Sequence, residues 1–146
     1  MRRVNREDET SFLNVDLDIW SRRPLEPLVE ALGKKIFVHH VGREGRRHGA
    51  HLSLSSSGQR ADVLTRALAK LVAKLPKTAR QLWDDATARE FNVGIQAGLT
   101  PFSHEIRLSP ETLEIVARLR GSVVVTTYAP YTLANRRRRA KPATRR

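Results

Sequence analysis

Acidic and polar side chains alternate with apolar ones near the N-terminus, at residues 12–19. The alternation places Leu13, Val15, Leu17 and Ile19 on one face of a predicted strand, and Asn14, Asp16 and Asp18 on the other. Carboxylates two residues apart on one strand face lie about 6 to 7 Å from each other. Such a pair can share a proton, which raises one pKa, or bind a divalent cation together with a histidine.

The strands on either side of this one are expected to add further polar groups to the same face. If the first strand lies centrally, beside the third and fourth, the shared surface consists of Asn14, Asp16, Asp18, His51, Ser53, Asn92 and Gln96. Three interpretations stay open. The residues form the solvated face of a sheet covered on one side, a metal or acid/base site around Asp16, Asp18 and His51, or a surface that binds a peptide or small ligand.

Other chemistry finds little support in the sequence. With no cysteine, the chain has no disulfide, thiolate nucleophile or iron–sulfur ligand. His39 and His40 are adjacent and point to opposite faces of a strand, so they cannot serve one metal site without distortion. The sequence contains no P-loop, dinucleotide fingerprint or Gly-x-Ser-x-Gly elbow. We therefore expect no metal and no cofactor, and a binding module before an enzyme.

The elements that position these side chains follow from hydrophobic periodicity. Strands are predicted at residues 12–19, 35–41, 50–55, 91–97, 104–108 and 122–128, and helices at residues 24–32, 64–75, 79–86 and 110–119. Pro76 is expected to kink or divide the long helical segment, and Gly33 and Ser109 to cap helices. The glycine-punctuated, basic residues 42–49 are expected to form a mobile hairpin tip.

The predicted order is β-α-β-β-α-β-β-α-β, an α+β protein with one mixed or antiparallel sheet and helices on one face. Its first six elements spell the ferredoxin-like arrangement, followed by an extra β-α-β. We assign residues 1–10 to a flexible N-terminus, residues 11–133 to a single α+β domain, and residues 134–146 to a disordered basic tail.

The net charge of +12 is concentrated in two places, the tail and the predicted hairpin. The residues expected to contact an anion or nucleic acid are Arg43, Arg46, Arg47, Arg136, Arg137, Arg138, Arg139 and Lys141. The order of the first six elements is also that of RNA-recognition domains, but the central strands carry acids and no aromatic pair for stacking bases. Contact with nucleic acid is therefore expected to be nonspecific. The tail would equally suit an anionic lipid, an acidic protein or a solubilising role.

Three features give the chain a family resemblance over roughly residues 12–130. They are the acidic first strand Val15-Asp16-Leu17-Asp18, the helical break at Leu75-Pro76, and the block from Ile106 through Leu108-Ser109-Pro110-Glu111 to Leu119, Val125 and Tyr128. In this layout the chain resembles the bacterial domain-of-unknown-function family numbered four-two-seven-nine. Because the function of that family is unsettled, the resemblance implies a bacterial origin and no activity.

The sequence as a whole favours a cytoplasmic binding module. No apolar run approaches the roughly 20 residues of a membrane helix, and residues 1–7 lack the apolar part of a secretory signal. We expect a protein or small ligand at the polar sheet face, in an immunity or defence setting, with nonspecific nucleic-acid attachment through the tail. The alternative is a small metal-dependent or acid/base enzyme that uses Asp16, Asp18 and His51.

Overall fold

A computed structural model describes residues 8–56 and 58–130. The elements, in chain order, are β1 (Ser11–Ser21), α1 (Glu26–Leu32), β2 (Ile36–Glu44), β3 (Arg47–Leu54), α2 (Ala61–Ala73), α3 (Lys77–Asp84), β4 (Ala88–Gln96), α4 (Pro110–Arg118) and β5 (Ser122–Tyr128). The predicted α+β class is confirmed. The predicted basic tail, residues 134–146, lies outside the described residues, as do residues 1–7 of the predicted flexible N-terminus.

The five strands form one mixed sheet in the order β2-β3-β1-β4-β5. The pairs β2–β3, β3–β1 and β1–β4 are antiparallel, and β5 pairs with β4 in parallel. A parallel neighbour requires a crossover connection, which here contains α4. Because of this parallel edge strand, the sheet is not a simple ferredoxin-like sheet.

The hydrophobic core lies on one side of β1. Val15, Leu17 and Ile19 are almost completely buried, while Asp16 and Asp18 between them stay half-buried on the opposite side. The apolar stripe of α2, formed by Leu64, Leu68 and Val72, packs into the same core. Burying apolar surface on one side of each strand leaves the polar residues of the same strands on the other side.

Two predicted local features of the helices are confirmed. Pro76 separates α2 from α3, because proline cannot donate the backbone hydrogen bond that would continue a helix. Ser109 caps α4, where its side chain accepts a hydrogen bond from the backbone N–H of Thr112. In the described part of the chain, none of the helices has the length and apolar character needed to cross a membrane.

The strand predicted at residues 104–108 is wrong, since this segment runs without strand pairing. Ile106 and Leu108 do alternate inward and pack against the core. However, the free edge of β4 is taken by β5, so the segment has no ladder partner. Side-chain alternation alone could not distinguish an extended loop from a strand.

The hairpin between β2 and β3 is longer than predicted. Its strands continue to Glu44 and Arg47, which pair with each other, and the turn consists of Gly45 and Arg46 alone. Gly45 adopts a φ of 64°, a backbone conformation that favours glycine in such tight turns. Most of residues 42–49 therefore belong to paired strands, and the prediction of a loop there was wrong.

Phe91 offers a test of the core. This side chain is fully buried against Trp83, with ring centroids 6.3 Å apart. Phe91→Ala is expected to lower the free energy of unfolding by about 3–5 kcal/mol in a denaturant titration, because it leaves a cavity. Phe102→Ala, the same replacement at a fully exposed position, is expected to change it by less than about 0.5 kcal/mol. Similar losses in both variants would contradict this core.

Candidate functional site

The sheet surface turned away from the helices brings together polar side chains from four strands. We call it the open face and define it by Asn14, Asp16, Asp18, Trp20, Glu44, His51, Ser53 and Asn92. The strand register fixes these neighbours: Asp16 lies opposite Ser53 on one side and Asn92 on the other, and Asp18 lies opposite His51. Six of the seven residues predicted for a sheet-face site are in this set.

His51 lies between two carboxylates. Its Nδ1 is 2.9 Å from Oδ1 of Asp18, and its Nε2 is 2.5 Å from Oε1 of Glu44. A neutral imidazole has only one N–H, whereas an imidazolium can donate to both carboxylates at once. The arrangement therefore favours the charged form of His51, and it links β1, β3 and β2 through side chains.

Glu44 reaches His51 because the residue beside it is glycine. A Cβ at Gly49 would lie 2.5 Å from the carboxylate of Glu44, so a larger residue at this position would displace that carboxylate. Trp20 adds a second donor, with its Nε1–H 3.0 Å from Oε2 of Glu44. Sequence reasoning missed both Glu44 and Trp20. The signal that could have found them is the unbroken alternation of residues 40, 42 and 44 against 47, 49 and 51.

The pKa values of His51 and Glu44 shift in opposite directions. Burial alone would lower the pKa of His51, but the hydrogen bonds and negative charges of Asp18 and Glu44 outweigh it and raise that pKa. Burial alone would raise the pKa of Glu44, yet the hydrogen bonds from His51 and Trp20 lower it. An ion pair between His51 and Glu44 is the common cause.

Asp16 is the least satisfied acid of the open face. Burial, and next the negative charge of Asp18, raise the pKa of the Asp16 carboxyl above its ordinary value. The side-chain hydrogen bond that it accepts comes from Asn14, at a long 3.4 Å. An additional donor or positive charge at Asp16 would therefore stabilise its ionised form.

Ser53 and Asn92 connect the open face to neighbouring side chains. Ser53 is buried, and its Oγ lies 2.9 Å from Nε2 of His39. Asn92 donates to Asp18 at 3.3 Å and accepts from Thr126 at 2.8 Å. These contacts hold the amide and hydroxyl groups of the open face in fixed orientations.

Gln96, the seventh predicted residue, does not join this network. Its side-chain amide donates to the backbone carbonyls of Ala97 and Ala129, at 3.1 Å and 2.8 Å. Gln96 thus ties the end of β4 to the chain that leaves β5. Strand parity predicted its side of the sheet, but backbone carbonyls at the strand end compete for its amide.

The predicted anion-contact residues lie in different places. The guanidinium of Arg47 lies 4.8 Å above the ring of Trp20, and Arg43 donates to the backbone carbonyl of Gly45. Arg46 is exposed in the turn. The remaining five, Arg136, Arg137, Arg138, Arg139 and Lys141, lie outside the described residues.

Ion pairing differs between the open face and the rest of the described chain. Elsewhere, acids pair with arginine at up to 3.8 Å, in the pairs Arg23–Asp85, Arg66–Asp62, Arg80–Asp84, Arg118–Glu114 and Arg107–Glu105. On the open face, the ion pairs seen within residues 8–56 and 58–130 use histidine alone. These ion pairs therefore depend on the proton that charges the histidine.

The positions of the histidine and carboxylate side chains also bear on the requirements of a metal site. Among the residues that the structure describes, no three histidine, aspartate or glutamate side chains are grouped so as to hold a metal ion. His51 has both ring nitrogens against carboxylates, so a metal would have to displace one of them. The geometry therefore suits proton sharing and hydrogen bonding between Asp18, His51 and Glu44.

Comparison with known proteins found no match for this chain among family models, curated proteins or solved structures. The resemblance to the family numbered four-two-seven-nine therefore stays a prediction.

The His51 ion pairs predict a pH dependence of stability. A raised histidine pKa stabilises the fold below its ordinary value of 6.5, and this contribution is lost as the pH rises through the folded-state pKa. The lowered pKa of Glu44 contributes above its ordinary value of 4.5, and that contribution is lost at lower pH. The stabilisation is expected to be greatest between these two values.

The difference in unfolding free energy between the wild type and His51→Gln measures this effect. We expect about 1 kcal/mol near pH 5.5, because the groups are partly exposed, and a decline on both sides. His40→Gln, which changes a more exposed histidine 3.6 Å from Glu44, serves as the matched control. A difference that does not vary with pH would contradict a charged His51 between two carboxylates.

Proposed function

We propose that this chain is a binding module whose open face holds a cationic group of a partner. The partner class is a protein or peptide segment that presents arginine or lysine side chains. An immunity or defence setting, a bacterial origin and a cytoplasmic location form part of the proposal, as does a ferredoxin-like arrangement of the β1–β4 portion. The resemblance of the sequence to the family numbered four-two-seven-nine supports the bacterial origin alone.

The observation that carries the proposal is that the acids of the open face have different ion-pair partners from the acids elsewhere in the fold. In the described residues, acids elsewhere in the fold pair with arginine, whereas the ion pairs of Asp18 and Glu44 are with histidine. Asp16 is crowded by Asp18 and accepts one long hydrogen bond. A guanidinium placed against Asp16 would supply charge and donors together, as in charge-assisted pairs.

The surface around Asp16 is also prepared for such a contact. Asn92 and His51 are already held by their own hydrogen bonds, so little side-chain freedom would be lost when a ligand binds. The apolar side of the sheet is buried in the core, and this rigid layer supports the strands from below. Rigid elements position binding groups more closely than loops do.

A short oligo-arginine peptide is a direct probe of this function. We expect it to bind the full chain in a calorimetric titration, and Asp16→Asn to weaken binding about tenfold by removing a charge-assisted hydrogen bond. Glu30→Gln removes an equal charge from an exposed position on α1 and is expected to leave affinity almost unchanged.

The same peptide with citrulline in place of arginine controls for shape and backbone. Equal binding of both peptides, or equal losses in Asp16→Asn and Glu30→Gln, would reject the open face as a cation-binding surface. The thermal stability of Asp16→Asn shows whether this variant folds. Since burial raises the pKa of Asp16, its neutral substitute should not lower thermal stability.

The basic tail supplies a second attachment in this proposal, directed at nucleic acid. Arg136, Arg137, Arg138, Arg139 and Lys141 follow one another closely, with no acid after residue 130. Cations of this kind bind phosphates by releasing counterions and do not read sequence.

Neutralising the arginine run tests the tail. Changing residues 136–139 together to glutamine is expected to reduce the slope of log affinity against log salt by about 3.6 for duplex DNA. The matched control changes Arg22, Arg23, Lys34 and Lys35 to glutamine, an equal loss of charge elsewhere on the surface. If both variants change the slope equally, binding depends on net charge and the tail has no special role.

Acid/base catalysis is the second candidate, and one observation favours it. His51 lies within hydrogen-bond distance of both Asp18 and Glu44, an arrangement in which a proton can be held between the imidazole and a carboxylate. In that case Asp16 and Asp18 would orient a substrate beside His51. Loss of turnover in His51→Gln with peptide affinity unchanged would favour the enzyme over the binding module.

A further inference from the structure

The connection between β4 and α4 carries the most exposed large apolar side chains of the described residues. We call residues 97–109 the β4–α4 loop. Phe102 in this loop is fully exposed, and Leu99 is 77% exposed. A loop this long without helix or strand commonly has a function, and an aromatic ring held in water needs an explanation.

Backbone hydrogen bonds hold the base of this loop in place. Leu99 and Thr100 donate to the carbonyl of Asp8, at 2.7 Å and 3.1 Å, and Thr10 donates to the carbonyl of Thr100 at 2.6 Å. Gly98 donates to the hydroxyl of Thr10. Phe102 therefore extends from an anchored segment. Binding of a ligand to Phe102 would lose little backbone conformational entropy, because the base of the loop is already ordered.

The β4–α4 loop lines one wall of a cleft from His104 onward, two residues after Phe102 in the chain. The volume of the cleft is about 650 Å³. Phe12, Ile106 and Leu108 supply apolar lining, while Arg60 and Arg107 supply positive charge. The cleft thus combines an aromatic and apolar surface with two guanidinium groups.

The acids of the cleft are already engaged. Asp62 accepts a hydrogen bond from the backbone N–H of Ser109 at 2.8 Å and pairs with Arg66 at 2.7 Å. Glu105 faces Arg107 across 3.8 Å, with both side chains exposed to water. A long, exposed pair of this kind contributes little, so Arg107 remains available to an incoming anion.

The chain leaves the described region close to this loop. Ala97 donates a backbone hydrogen bond to Tyr128 at 2.9 Å, and Gln96 donates to Ala129 at 2.8 Å. The described chain therefore ends on the side of the sheet where the β4–α4 loop begins. The arginine run begins six residues after Pro130.

We propose that single-stranded nucleic acid binds at this end of the molecule, with one base stacked on Phe102 and its phosphates against Arg60 and Arg107. The proposal rests on the proposed role of the tail in nucleic-acid attachment and adds the class of nucleic acid and the residue that selects it. A basic groove beside an exposed aromatic ring is how proteins hold unpaired strands without reading sequence.

The aromatic ring of Phe102 distinguishes binding of a single strand from binding of duplex DNA or an anionic lipid. Duplex DNA presents its phosphates but keeps its base faces stacked, so Phe102 would add nothing to duplex binding. An anionic lipid surface would accept any large apolar side chain at this position. Stacking on a base requires a flat ring, and the three ligands therefore predict different effects of substitutions at Phe102.

Fluorescence anisotropy with labelled oligothymidylate of about 16 nucleotides tests the proposal on the full chain. Phe102→Ala and Phe102→Leu are both expected to weaken binding about five- to 150-fold, and Phe102→Trp to preserve it. Leu99→Ala, at the neighbouring apolar position, is the matched control and should bind as the wild type does. The same variants should bind duplex DNA of equal length equally well.

Salt dependence separates the stacking contact from the tail. Phe102→Ala is expected to lower single-strand affinity at every salt concentration without changing the salt slope, because stacking releases no counterions. Arg107→Gln is expected to reduce that slope by about 1. A tail variant with an unchanged slope, alongside a weakened Phe102→Ala, would refute the tail's role and leave Phe102 as a stacking residue.

Three results would overturn the inference. The first is equal binding of oligothymidylate by Phe102→Ala and the wild type, and the second is an equal weakening of duplex binding by Phe102→Ala. Neither result fits base stacking. The third is cosedimentation with phosphatidylserine vesicles that Phe102→Leu preserves and Phe102→Ala abolishes, with no effect of either on oligothymidylate. That pattern would assign the loop to a lipid surface.

Discussion

The rest of the structure depends on the burial of one face of β1. Val15, Leu17 and Ile19 pack against the helices, and the strand is central, with β3 on one side and β4 on the other. A strand that slipped by one residue would move Asp16 and Asp18 into the core, which is too costly for an unpaired carboxylate. The same constraint that stabilises the fold therefore places two acids on the opposite surface and keeps them there.

The charge of the protein is unevenly distributed as a result. The chain carries a net charge of +12, and yet the ion pairs described for its open face depend on histidine. Asp18 and Glu44 each face one ring nitrogen of His51, and burial and the negative charge of Asp18 raise the pKa of Asp16. A local excess of negative charge on a basic protein favours cationic ligands there, while the rest of the surface favours anionic ones.

Much of the fold could be predicted from periodicity. The alternation in β1, the proline between α2 and α3, and the Ser109 cap each depend on neighbouring residues alone, and all three are confirmed. The segment at residues 104–108 could not be predicted, because its pairing depends on which strand lies beside β4. Glu44 was missed for a similar reason, since its contact with His51 requires the long hairpin and the missing side chain of Gly49.

The contact of His51 with both Asp18 and Glu44 has a consequence for assembly of the sheet. Two of these residues lie on different partners of β3, so both contacts form only when β2 and β1 are aligned with it at the same time. A hairpin closed in the wrong register would leave at least one carboxylate without its contact to His51. Side chains that have no part in the hydrophobic core thus favour the correct register of three strands.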